Sequence, residues 1–306
     1  MGELTERKFM FGKEYFKKNT VIFLVLIVVY ALGNSMISSY LQVQFEENIA
    51  NSYGAMAICK YVMAALPVLL MFKWGYVKKV KISQVLLGFA LGALTFLFFM
   101  PNLLVLTLVN DSFFNVNVKG VIAVVVAAMG IGLIEETAIR GVLLPFLCEK
   151  WKDKKHPYVK AAIASSVVFG CLHLSWSVKY LITYKTLPME YFMNNMYQVC
   201  YTFCFGIFMS AIVIKTKNLW GVIFWHGICD TAAFLKNVVV DPIVYRYIMT
   251  FEWLTFSNYL EVNGILEGVE HADQLIEAVI DIVLMVVGFV IIVKEEKKLE
   301  ASHGNV

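Results

Sequence analysis

The ten residues Gly132-Leu-Ile-Glu135-Glu136-Thr-Ala-Ile-Arg140-Gly141 place three formal charges inside an otherwise apolar part of the chain. The segments on either side, residues 121–129 and 142–146, contain no polar side chain. A run of this length and composition predicts a transmembrane helix. An ionisable residue inside such a helix costs roughly 3 kcal/mol unless it is paired or faces a polar cavity, so it indicates a functional site.

The two glutamates of this stretch differ in their helical positions. Glu136 and Arg140 stand four residues apart on one face and can form an ion pair. Glu135 is rotated by about 100° from Glu136, so it points away from that pair. One carboxylate is therefore neutralised and the other is not. We predict that Glu135 is a general base.

The composition of the chain is typical of a polytopic membrane protein. Of the 306 residues, 59% are hydrophobic and 16% are charged, whereas soluble domains are about 45–50% apolar. The mean hydropathy is +0.70. The net charge is only +3 and no basic tract is interleaved with aromatic residues, which argues against nucleic-acid binding. The six cysteines form no Cys-x-x-Cys pair and are interpreted as small buried hydrophobes.

Eight stretches are long and apolar enough to cross a bilayer, which predicts an all-α membrane protein with about eight transmembrane helices. They lie near residues 20–40, 53–72, 83–109, 119–148, 158–178, 193–214, 218–236 and 274–293. We expect one membrane domain at residues 19–294, between cytoplasmic tails at residues 1–18 and 295–306. A further segment at residues 251–260 is expected to lie in the membrane interface.

The distribution of Lys and Arg agrees with eight crossings. Eighteen of these residues lie in the two tails and in the loops after the second, fourth and sixth spans, and five lie in the other loops. Because positive residues concentrate on the cytoplasmic side, this alternation places both termini there. The short chain carries no organelle signal, so we expect a multi-pass protein of a bacterial plasma membrane.

Two further polar motifs interrupt apolar spans. Phe169-Gly-Cys-Leu-His173 lies in the fifth span, and His226-Gly-Ile-Cys-Asp230 lies in the seventh. At 1.5 Å per residue, Glu135, both histidines and Asp230 lie about 12–22 Å from the cytoplasmic ends of their helices. We therefore expect these residues to share a catalytic cavity between the fourth, fifth and seventh helices.

Such a cavity can hydrolyse a bond in two ways. A carboxylate can activate water as a general base while other groups stabilise the oxyanion. Alternatively, His173, His226 and Glu135 can hold zinc, which then activates the water. A Ser-His-Asp order and a His-Glu-x-x-His helix are both absent. Lys60 and Asp281, in contrast, are interpreted as structural residues that snorkel or pair.

Taken together, these motifs resemble those of a known protease family. Glu135-Glu136-x-x-x-Arg140, Phe169-x-x-x-His173 and His226-x-x-x-Asp230 occur in this order on separate helices. This pattern is similar to that of the CAAX-protease and bacteriocin-processing (Abi) family of intramembrane endopeptidases, which includes the type II CAAX prenyl endopeptidase.

The resemblance implies that Glu135 activates water with help from His173. It also implies that His226 and Asp230 face the oxyanion and that the ion pair described above supports the site. One position departs from the pattern: the prenyl endopeptidase has asparagine where this chain has Asp230, which we expect to orient His226 or to be protonated. The family is described both as metalloproteases and as metal-free glutamate peptidases. We favour metal-free hydrolysis, because no His-x-x-x-His pair lies on one helix.

The predicted function is an endopeptidase that cleaves a peptide or protein at the lipid bilayer. The substrates implied are a prenylated carboxyl terminus, a bacteriocin leader or a signalling-peptide precursor, and nothing in the sequence selects among them. Two alternatives from other classes are a non-catalytic bacteriocin immunity protein and a transporter or proton relay that uses the same polar residues. A transporter favours inverted repeats with broken helices, and the sequence contains no repeat.

Overall fold

The computed structural model describes residues 13–45, 48–74, 76, 82–94, 117–239 and 267–303. Within these ranges the chain is almost entirely helical and has no strand, which confirms the predicted all-α fold. In chain order the helices are α1 (Lys13–Lys18), α2 (Thr20–Gln44), α3 (Ile49–Lys73), α4 (Ile82–Leu94), α5 (Val118–Glu136), α6 (Leu144–Lys150), α7 (Pro157–Leu172), α8 (Ser175–Tyr184), α9 (Met189–Thr216), α10 (Trp220–Val239) and α11 (Glu267–His303). A π-helical segment, Thr137–Leu143, joins α5 to α6.

Several described helices are long and apolar enough to cross a membrane, which makes this a multi-pass membrane protein. These spans are Thr20–Leu41, Ala50–Lys73, Val118–Lys150, Pro157–Ile182 and Tyr191–Thr216. They coincide with five of the eight predicted spans. The other three correspond to α4, α10 and α11, so the number of eight stays a prediction. The end of the third predicted span, after residue 94, and the interfacial segment at 251–260 lie outside the described residues.

Helix α5 is central to the packing that positions the polar residues. Its most extensive contacts are with α3 and α10, and glycines allow both approaches. A Cβ atom on Gly130 would lie 3.0 Å from Cβ of Lys60 on α3, and one on Gly132 would lie 2.7 Å from the carbonyl oxygen of Ile223 on α10. Such close contacts at glycine are typical of paired membrane helices. Helix α9 in turn packs against α7 and α11.

Lysine-bearing segments meet at one end of the bundle. Lys13 and Lys17 of α1 form ion pairs with Glu149 of α6, at 2.5 and 2.8 Å. The hydroxyl of Tyr76 donates to the same carboxylate at 3.1 Å. Hydrogen bonds to Glu149 and to Glu14 raise the pKa of Lys17 above its usual value. Helix α1 is therefore attached to α6, which follows the helix that carries Glu135 and Glu136.

The carboxyl-terminal part of α11 joins the same end. Glu296 accepts a hydrogen bond from the backbone N–H of Val159 at 2.9 Å, and it lies 3.1 Å from Nδ1 of His156 in the connection between α6 and α7. The ammonium of Lys217, which follows α9, lies 4.8 Å from the centre of the Tyr158 ring. Segments predicted to share the cytoplasmic side are thus close together in the fold. Which side of the membrane they occupy stays a prediction.

Candidate active site

The helix that carries both glutamates changes its winding directly after them. Helix α5 ends at Glu136, and in the π-helical segment the N–H of Leu144 bonds to the carbonyl of Ile139, five residues earlier. Pro145 follows and has no N–H to donate, so even a regular α-helix would lack one backbone hydrogen bond at this point. The regular α-helix assumed from the sequence is therefore wrong here. π-Helical turns within α-helices occur frequently at functional sites.

Glu136 is the buried anchor of the site. Its Oε1 accepts a hydrogen bond from Nη1 of Arg140 at 3.0 Å, and both side chains are fully buried. The predicted pairing of Glu136 with Arg140 is confirmed. The same oxygen accepts a hydrogen bond from Nδ1–H of His226 on α10 at 2.8 Å, with the tautomer assigned from this contact. One carboxylate therefore fixes both a cation on its own helix and an imidazole on another.

Phe169 of α7 packs against this buried group. The Cζ atom of Arg140 lies over its ring, 4.1 Å from the centre. The ring also meets the imidazole of His226 edge-to-face, with centres 6.0 Å apart. A cation over an aromatic face is attracted by the ring quadrupole. The phenylalanine of the Phe169-x-x-x-His173 motif thus has a contact that the sequence analysis did not assign.

Glu135 and Asp230 are more accessible than the buried pair, with side-chain exposures of 27% and 23%. Oε2 of Glu135 lies 3.9 Å from Nε2 of His226, and Oδ2 of Asp230 lies 3.6 Å from the same nitrogen. Both distances are too long for hydrogen bonds. His226 therefore donates its orienting hydrogen bond to Glu136 and not to Asp230. The other expectation, that Asp230 is protonated, stays a prediction.

These groups share one cavity of about 520 Å³. Glu135, His173, His226 and Asp230 all contribute to its lining, whereas Glu136 and Arg140 lie behind it. The structure therefore brings together the residues of the three sequence motifs. The predicted cavity between the fourth, fifth and seventh spans corresponds to this space.

His173 occupies a helix end, because α7 ends at Leu172 and α8 begins at Ser175. The predicted span at residues 158–178 therefore contains a short turn at His173. Nδ1–H of His173 donates to the carbonyl of Phe169 at 3.0 Å. This bond holds the imidazole at the cavity wall.

The part of the chain that carries these motifs is similar to a known protein family. Residues 117–232 match the family described as type II CAAX prenyl endopeptidase Rce1-like. This segment is similar to the CAAX-protease domain of that family. It contains all six residues that the sequence analysis assigned to the site, and the predicted resemblance to this protease family is confirmed. No curated protein and no solved structure matches the chain. The predicted boundaries of the whole domain, residues 19–294, stay a prediction.

The predicted zinc ligands do not form a metal-binding group in the described part of the chain. No three His, Cys, Asp or Glu side chains there lie close enough together to hold a metal ion. Nδ1 of His226 is bound to Glu136, and Nδ1 of His173 is bound to a backbone carbonyl. Because metal-binding histidines usually donate their other ring N–H to a carboxylate or a carbonyl, these two contacts do not decide between the alternatives, and zinc binding by His173, His226 and Glu135 stays a prediction.

The sequence analysis missed a polar wall that helices α2, α3 and α9 add to the cavity. This wall consists of Tyr30, Asn34, Ser35, Ser38, Ser39, Lys60, Asn194, Asn195 and Gln198. A signal for part of it exists in the sequence. Polar residues on α2 recur at intervals of three and four, which places them on one face of an otherwise apolar helix.

Proposed function

We propose that this protein is an intramembrane endopeptidase in which Glu135 is the general base for peptide-bond hydrolysis. The observation that carries this proposal is the difference between two adjacent glutamates. Glu136 is buried and bound to Arg140 and His226. Glu135 faces the cavity and has no hydrogen bond among the described residues. A carboxylate that is free in a polar cavity can take a proton from water.

The proposed hydrolysis passes through a tetrahedral intermediate. The oxygen of a water molecule attacks the scissile carbonyl carbon while Glu135 takes one of its protons, and the C=O electron pair moves to the carbonyl oxygen. Glu135 then gives this proton to the amide nitrogen as the C–N bond breaks and the carbonyl re-forms. The products are a peptide with a new carboxyl terminus and a peptide with a new amino terminus.

In this proposal the other motif residues position the reacting groups. Doubly protonated His226 keeps Nδ1–H on Glu136 and presents Nε2–H to the cavity, where it can donate to the developing oxyanion. Arg140 balances the charge of Glu136 behind the imidazole. Asp230 adds a second carboxylate near Nε2. His173, held by its backbone hydrogen bond, orients the attacking water.

The polar wall of the cavity supports a peptide as the substrate. Its hydroxyl and amide side chains can bond to the N–H and C=O groups of an extended main chain. The proposed substrates are a prenylated carboxyl terminus, a bacteriocin leader or a signalling-peptide precursor. We further propose that the protein acts in a bacterial plasma membrane with both termini in the cytoplasm.

The proposal is tested by membrane peptidomics of cells that carry either the wild type or Glu135→Gln. Glutamine keeps the shape of the side chain but cannot accept the water proton, so peptides that the wild type produces should disappear. Glu300→Gln is the matched control, because Glu300 is exposed on α11, and its peptide pattern should equal that of the wild type. Identical peptide patterns in all three strains would refute the proposal.

A further inference from the structure

Lys60 lies far from both ends of the membrane helix α3. It lies in the middle of α3, 11 residues after Ile49 and 13 residues before Lys73. At 1.5 Å per residue the two helix ends are roughly 16 and 20 Å away. The four-carbon side chain of lysine is much shorter than either distance. The residue is only 7% exposed, which favours an ammonium inside the helix bundle over the expectation that it snorkels to the membrane surface.

The ammonium of Lys60 also has no close counter-charge in the described part of the chain. None of the ion pairs there, defined by an N···O distance up to 4.0 Å, includes it. Its stem packs against α5 at Gly130, five residues before Glu135. Glu135 and Asp230 interact with it electrostatically from a longer range. A lysine inside a membrane helix without a close counter-charge is costly, so it indicates a functional site.

The lining of the cavity indicates what this function is. Lys60 is the only lysine or arginine among the described residues that line the cavity. Arg140 is behind the cavity wall and bound to Glu136. In contrast, two carboxylates, Glu135 and Asp230, face the cavity directly. A negative charge that develops on a substrate there would be repelled by both carboxylates and attracted by the ammonium of Lys60 and by doubly protonated His226.

We infer that Lys60 is a further catalytic residue, whose buried ammonium donates to the oxyanion of the tetrahedral intermediate. This inference rests on the proposed endopeptidase function. In the step described above, the electron pair of the scissile C=O moves to oxygen, and an N–H of Lys60 bonds to that oxygen until the C–N bond breaks. The ammonium keeps its proton throughout, so Glu135 remains the only group that transfers one.

The test uses the purified full-length protein in proteoliposomes with a proteome-derived peptide library that includes prenylated carboxyl-terminal peptides. Kinetics are measured on the library peptide that is cleaved fastest. Lys60→Met should lower kcat by about 10²–10³-fold, as expected for the loss of one oxyanion donor. KM should change little, because the contact forms only in the transition state. The melting temperature should be unchanged or higher, because a buried unpaired charge is removed. Lys160→Met, which removes an exposed lysine of α7, should leave kcat unchanged.

Chemical rescue separates an N–H donor from a simple positive charge. In Lys60→Ala, added propylammonium has the same atoms as the deleted part of the side chain. It should raise the activity of this variant at least tenfold, which is less than the loss of about 10²–10³-fold expected for one oxyanion donor. Propyltrimethylammonium has the same charge but no N–H group and should not restore it. Equal rescue by both cations, or rescue by neither, would overturn the donor role.

The outcomes also separate this inference from the proposed function. If the wild type cleaves peptides and Glu135→Gln does not, while Lys60→Met keeps the wild-type kcat, the role of Lys60 alone is refuted. A lower melting temperature of Lys60→Met with unchanged kcat would assign it a structural role instead. If the wild type cleaves no peptide of the library, both the proposed function and the role of Lys60 are refuted.

Discussion

The substitution Gly132→Ala tests whether the close contact between α5 and α10 builds the site. A Cβ atom at this position would lie 2.7 Å from the carbonyl oxygen of Ile223 and 2.8 Å from the backbone nitrogen of Gly227. Ordinary contact begins at 3.4 Å, so α10 would have to withdraw by the difference of 0.7 Å. A shift of this size along the 2.8 Å hydrogen bond between Glu136 and His226 would stretch it to the 3.5 Å limit for such a bond.

Gly132→Ala should lower the unfolding free energy in two ways. Overpacking costs about 1–3 kcal/mol. The substitution also weakens a charge-assisted hydrogen bond, which is normally worth about 1.5–3 kcal/mol. Better helix propensity returns about 1 kcal/mol, so we expect a net loss of about 1.5–5 kcal/mol in unfolding free energy. Misplacement of the imidazole by a fraction of an ångström should lower kcat by up to about 10²-fold.

The assay for this prediction combines unfolding in mixed detergent micelles with peptide cleavage by the same preparations. Gly33→Ala is the matched control, because a Cβ atom on Gly33 of α2 would meet nothing within 4 Å. The control should keep the stability and the activity of the wild type. If Gly132→Ala behaved like Gly33→Ala in both measurements, the close contact would not be needed for the site.

Three further predictions concern the buried pair, the topology and the metal. Arg140→Met should lower the unfolding free energy by about 3–5 kcal/mol, because it leaves a buried carboxylate without its counter-charge. The double variant Arg140→Met with Glu136→Gln should recover part of this loss in the same unfolding assay. An equal or larger loss in the double variant would contradict the prediction. Reporters placed after Lys298 and within residues 150–156 should both be cytoplasmic and one near Gly264 external, whereas a common side for the last two would refute eight crossings. Elemental analysis should find less than stoichiometric zinc and chelation should leave activity unchanged, whereas activity lost on chelation and restored by zinc alone would refute metal-free hydrolysis.

Features that depend on a single helix were predictable from the sequence. The ion pair of Glu136 with Arg140 follows from a spacing of four residues, and the free position of Glu135 follows from the rotation between neighbours. Five spans followed from the length of apolar runs. These predictions succeed because they require only local geometry and the thickness of the bilayer.

Features that depend on the register between helices were not predictable in the same way. The hydrogen bond from His226 to Glu136 joins residues that are 90 positions apart, and it exists because glycines on α5 and α10 let the two helices approach closely. The π-helical segment after Glu136 changes the winding without a clear pattern in the apolar residues. The depth of Lys60 depends on where α3 begins and ends, which hydropathy locates only to within several residues.

The measurement that tests the central claim most directly is peptide hydrolysis in water enriched in a heavy oxygen isotope, with purified wild type and Glu135→Gln in proteoliposomes. If Glu135 activates water, mass spectrometry should find heavy oxygen in every new carboxyl terminus made by the wild type. Glu135→Gln should yield no such products while its melting temperature stays close to that of the wild type. Labelled products from Glu135→Gln at the wild-type rate would contradict the assignment of Glu135 as the general base.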